Sequence, residues 1–158
     1  MEINNISFTP CPAREGWFVC QTGGDSTELE TKALGINDRH KARGYFALCG
    51  CLPGDEQHRL YLVPDHDPVQ VARDFEVGVH GDEHQEAIEQ IMLVQKQNPI
   101  VPFFADPAGF KFKFRKPITE EFVSFLEATL SAGIDEQMLN EDGEFNVRET
   151  RFVHLWWD

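Results

Sequence analysis

Two pairs of apolar runs, each joined by a stretch too short to hold a helix, constrain this chain more than any other feature. Residues 45–52 and 59–63 flank Pro53-Gly54-Asp55, and residues 100–104 and 110–115 flank Asp106-Pro107-Ala108-Gly109. Pro, Gly and Asp in such positions mark a chain reversal, so each pair predicts a β-hairpin. Parallel neighbours need a crossover of about a dozen residues or more, usually helical. A sheet assembled from these pairs is therefore antiparallel or mixed, and the fold class is α+β. The run at 110–115 sharpens the reading. Phe110, Phe112 and Phe114 alternate with Lys111, Lys113 and Arg115, which puts three rings on one face of a strand and three cations on the other.

The remaining segments supply further strands and the helices. Residues 2–9 read as a strand stopped at Pro10-Cys11-Pro12, and residues 17–20 as another closed by Gly23-Gly24. Asp25 with Glu28 forms a capping box for a helix through Leu34, with Gly35 as its stop. Asp67-Pro68 opens a short helix to Phe75, since proline suits the first helical position. Asp82 caps a helix through Gln97 with Ala87, Ile88, Ile91 and Met92 on its apolar face, and Asn98-Pro99 ends it. Thr119, Glu120 and Glu121 start a helix in which Phe122, Phe125, Leu126, Thr129 and Leu130 recur at helical spacing before Gly133. Residues 145–157 read as a last strand, with at least one of Trp156 and Trp157 in the core. The expectation is one domain over residues 1–158, with a sheet of about six or seven strands and three or four helices.

Charge narrows the function classes. The chain carries 27 acidic residues against 14 basic ones, a net charge of −13. Nucleic acid and anionic membrane surfaces both demand a cationic partner, so neither is expected as a ligand. A basic protein is the expected partner, because opposite fields steer encounter and complement each other on contact. No apolar stretch reaches the roughly 18 residues of a membrane-spanning helix, and residues 1–10 lack the pattern of a signal peptide. The chain is read as cytoplasmic, with Cys11, Cys20, Cys49 and Cys51 as reduced thiols.

Candidate chemistry is sparse. The cysteine pairs are separated by one residue and by eight, against the two to four usual for zinc. Asp65-His66-Asp67 and His80-Gly81-Asp82-Glu83-His84 offer imidazole and carboxylate ligands for a divalent metal. Asp67 and Asp82 are equally explained as helix caps, however, and solvated loops account for the rest. Asn140, Asp142, Gly143 and Glu149 partly fit a calcium loop that would begin at Met138, and methionine cannot ligate calcium. Gly23-Gly24 precedes carboxylates rather than the lysine of a phosphate loop. No nucleophile elbow or triad context surrounds any serine.

The expectation is a non-catalytic acidic inhibitor, of the toxin-immunity or anti-defence type, that covers the active site of a basic toxin or nuclease. Its contact residues are expected among the loop carboxylates Asp55, Glu56, Asp65, Asp67, Glu141 and Asp142. No metal and no small-molecule cofactor is expected. Two alternatives stand beside it: a metal-dependent enzyme built on Asp65, His66, His80 and His84, and a non-catalytic adaptor whose charge serves solubility.

Overall fold

The computed structural model describes residues 1–40, 44–65, 67–130 and 146–157. Its centre is the first predicted hairpin, β5 (Tyr45–Gly50) and β6 (Arg59–Pro64), paired antiparallel through six residues on each side. The second hairpin, β7 (Ile100–Asp106) and β8 (Gly109–Phe114), turns through Pro107 and Ala108. β7 lies parallel to β5, with Cys49 opposite Phe104. The short strands β3 (Thr9–Pro10) and β4 (Phe18–Val19) extend one edge, and β9 (Phe152–Trp156) the other. Among the described residues the sheet therefore has seven strands in the order β3-β4-β6-β5-β7-β8-β9, mixed through the parallel β5–β7 pair.

Helices cover both faces. α1 (Ser26–His40) packs on β5 together with a small separate hairpin, β1 (Glu2–Ile3) and β2 (Ile6–Ser7). This side holds Ile3, Phe8, Leu29, Ala33, Ile36, Leu60, Leu62, Phe103 and Phe104. On the opposite face α2 (Pro68–Asp74), α3 (His84–Gln97) and α4 (Glu120–Thr129) lie side by side over Leu48, Phe75, Ile91, Phe110, Phe112 and Leu126. Among the described residues no helix is long and apolar enough to cross a membrane.

Several local expectations are corrected. The predicted strand over residues 2–9 is folded back at Asn4 and Asn5, which both adopt positive φ (52° and 63°). Asparagine tolerates that conformation, and two such residues in succession build the turn that matches strand twist. α1 does not stop at Gly35 but continues to His40. Beyond the glycine, Ile36 is buried and the Asn37 side chain exchanges hydrogen bonds with both backbone groups of Ala47, at 2.6 and 2.9 Å. Tertiary contacts thus outweigh the roughly 1 kcal/mol that glycine costs a helix. Asp82 does not cap α3; it sits in the left-handed region (φ 56°) after a 3-10 turn over Val79–Gly81. Met92 is exposed rather than part of the core face. Residues 147–150 form α5 (Val147–Thr150), so the final strand begins only at Phe152 and the helices number five among the described residues. Gly133 and the calcium-like residues 138–143 lie outside the described residues.

The caps at Asp67 and Thr119 form as expected. Asp67 accepts from the Val69 and Gln70 amides, both at 3.1 Å, and Thr119 accepts from the Phe122 amide at 3.2 Å. Trp157 is buried, whereas Trp156 is 43% exposed. β7 carries a bulge between Pro102 and Phe104, which turns two successive rings, Phe103 and Phe104, toward α1.

Candidate functional site

The expected contact carboxylates fall at two ends of one hairpin. Asp55 and Glu56 follow the end of β5, whereas Asp65 and Asp67 follow β6, a six-residue strand about 20 Å long. Asp55 accepts from the Arg59 guanidinium at 2.9 Å and from the Glu56 amide at 2.8 Å. Burial raises its pKa, but these bonds outweigh burial and hold the carboxyl below the usual carboxylate range. Asp65 pairs with Arg115 at 2.5 Å, and Asp67 is the α2 cap. Glu56 alone of these four points a carboxylate into solvent with no partner among the described residues. Glu141 and Asp142 lie outside the described residues.

The larger acidic feature is the helical layer. Residues 67–97 hold Asp67, Asp74, Glu76, Asp82, Glu83, Glu86 and Glu89 against only Arg73 and Lys96, and α4 adds Glu120, Glu121 and Glu127 with no cation. Glu76, Asp82, Glu86 and Glu89 are exposed. Helical spacing puts Glu86, Glu89, Met92 and Leu93 on the outward face of α3, and Met92 and Leu93 are 48% and 52% exposed. An apolar pair bordered by Glu86 and Glu89, and by the Arg73 guanidinium at 3.7 Å from the Met92 sulfur, is thus offered to solvent. At the carboxyl-terminal end of α3, where the chain runs on to α4, a shallow cavity of about 360 Å³ is lined by Gln97, Lys116, Glu121, Phe122 and Phe125.

The basic stripe does not offset this layer. Phe110 and Phe112 point into the core beneath α2, α3 and α4, so Lys111 and Lys113 project from the other face of β8. Lys111 pairs there with Glu30 of α1 at 2.6 Å and lies 5.1 Å from the centre of the Phe104 ring. The sheet separates Lys111 and Lys113 from the acidic helical layer, where the ion pairs Arg14–Asp74 of α2 and Arg148–Glu120 of α4 and the cavity-lining Lys116 offset only part of the negative charge.

A second cluster gathers where β5 and β7 end, the edge at which open sheets with parallel strands usually bind ligands. His58 Nε2 and Asp106 Oδ2 are 2.9 Å apart, with the imidazole stacked on Phe104. Sequence reading missed this pair, because the residues are 48 positions apart and Asp106 reads as a turn residue. An aspartate that orients a histidine is half of a base-and-nucleophile arrangement. The neighbouring thiols do not complete it. Burial, with Glu30 and Asp106 nearby, pushes Cys49 up to about 12. Burial, with Asp55 and Asp106, also raises Cys51, whose thiol donates to the Asp55 carbonyl at 3.3 Å. Neither is a thiolate at neutral pH. Asp106 also accepts from the Ala108 amide at 2.8 Å, so the pair clamps the start of β6 to the β7–β8 turn.

The segment carrying His80 and His84 does not converge on Asp65. His84 Nδ1 lies 2.6 Å from the Val77 carbonyl, and Gly78 donates to Pro107, which places that segment near the β7–β8 turn. Asp65 belongs to the other end of the sheet, beside Arg115, and His66 lies outside the described residues. Among the described residues no three His, Cys, Asp or Glu side chains are grouped to hold a metal ion. Comparisons with protein-family models, curated proteins and solved structures give no match, so the functional reading rests on this geometry alone.

Proposed function

We propose that the chain is an acidic protein-binding inhibitor, of the immunity or anti-defence type, that neutralises a basic enzyme by laying its α2–α3–α4 face across the active site. The observation that carries the reading is the segregation of charge. The helical layer is acidic, and the cations of β8 lie on the far side of the sheet. Enzymes that process nucleic acid present cationic clefts to bind phosphate, and a negative face of this kind competes for the same surface. Met92 and Leu93 supply apolar contact at its centre, where binding energy concentrates, while Glu86 and Glu89 set orientation and encounter rate.

The reading shifts the expected contacts from the hairpin loops toward α3, with Glu56 an outlying loop carboxylate. The test is a charge reversal on that helix. Glu86→Lys with Glu89→Lys is expected to slow association with the basic partner about tenfold or more at low salt, and added salt to erase most of the difference. Loss of the partner's enzymatic activity on binding separates an inhibitor from an adaptor, which would bind without inhibiting. Association that ignores both the reversal and the salt concentration contradicts the proposal.

A further inference from the structure

On the opposite side of the sheet a cavity of about 200 Å³ opens at the amino-terminal end of the parallel β5/β7 pair. Leu34 of α1 and Val101 of β7, which is paired with Lys113, supply apolar walls, and Tyr45 adds a ring with a hydroxyl; Phe46 and Phe114 border the cavity while their rings belong to the core on the other face of the sheet. Lys113 and Arg115 also line it. Their charges are not equivalent: Arg115 is held by Asp65 at 2.5 Å, while Lys113 has no carboxylate partner among the described residues. Asp38, the remaining carboxylate at the site, is exposed, whereas Lys113 is half-buried. A half-buried lysine without a carboxylate partner can pair with an anion that enters beside it. On a chain of net charge −13, such a cation in a cavity with the Tyr45 ring is a feature that solubility does not explain.

We propose that this pocket binds a small planar aromatic carboxylate, its ring against Leu34, Tyr45 and Val101 and its carboxylate on Lys113. Size agrees, because an apolar cavity of about 150 Å³ already accommodates benzene and the extra space fits one carboxylate. Charge selects the anion, and the Asp65 carboxylate keeps Arg115 from competing for it. No lining residue belongs to α2, α3 or α4, so this site stands or falls separately from the inhibitory face.

Benzoate is the probe, titrated into the ¹⁵N-labelled chain with benzamide as its neutral counterpart. Saturable shifts are expected at the amides of Leu34, Tyr45, Val101 and Lys113, with benzamide binding at least about tenfold more weakly. Lys113→Gln is expected to weaken benzoate by a similar factor, while Lys116→Gln, outside the cavity, leaves it unchanged. The amide spectrum reports at once whether each variant is folded. Failure of benzoate to saturate, equal affinity for benzamide, or undiminished binding by folded Lys113→Gln overturns the proposal.

Discussion

Cys49 shows how a single side chain couples burial to pH. Its thiol is fully buried, and its pKa is raised by burial first and by the Glu30 and Asp106 carboxylates second. The folded state therefore holds the proton more tightly than the unfolded one. Stability is unaffected below the ordinary thiol value of 9.0 and falls as pH rises from there toward about 12. A urea midpoint that declines over that range, and declines less in Cys49→Ala, is the expected result. Thiol titration with an aromatic disulfide in the native state should modify at most Cys20 and Cys51, since Cys11 and Cys49 are buried. Gly50, the next residue, is fixed by sterics: a Cβ there would meet the Phe75 ring at 2.5 Å and the Ala105 carbonyl at 2.8 Å. Gly50→Ala is expected to cost about 2 kcal/mol in equilibrium unfolding. A change within about 0.5 kcal/mol, the range of surface substitutions, would show that the β5–α2 packing is looser than described.

At the scale of elements, α1 gives the sharpest contrast between pattern and structure. A glycine that stops a helix adopts positive φ, where alanine is strained, whereas Gly35 lies within the helix with nothing within 4 Å of a would-be Cβ. Gly35→Ala should stabilise the protein by about 0.5–1 kcal/mol, read from the shift in denaturant midpoint. Destabilisation would restore the shorter helix. The β5/β6 and β7/β8 hairpins and the α2 and α4 starts were legible because their determinants are local: a Pro-Gly or Pro-Ala turn, an Asp or Thr cap. What escaped has non-local causes. Asn37 extends α1 by bonding to β5, and the parallel β5–β7 pairing depends on which strands meet after folding. The candidate surface followed the same division. Sequence identifies carboxylates but not their partners, so Asp55, Asp65 and Asp67, bound within the fold, looked the same as the exposed Glu86 and Glu89. Met92 falls at the margin of the apolar face of α3, where the neighbour is Arg73 of α2 rather than the sheet.

For the whole molecule, a three-layer arrangement turns a net charge into a polarised one. The sheet separates the Lys113 and Arg115 pocket beneath α1 from the acidic layer of α2, α3 and α4. Long-range attraction would bring a basic partner to the helical layer in preference to the α1 side. Truncation of both apolar residues there, Met92→Ala with Leu93→Ala, should weaken a complex by about 1–3 kcal/mol, mainly through faster dissociation. Because both side chains are half exposed, the same change should leave the unfolding midpoint nearly unmoved. The most direct measurement is titration of the chain, and of its Glu86→Lys/Glu89→Lys variant, against the basic enzyme that the proposal expects it to retain from its own cells at low salt, with that enzyme's activity as readout. One-to-one inhibition by the native chain that is lost on charge reversal is the predicted result; inhibition that survives the reversal, or a retained protein whose activity is unaffected, would contradict it.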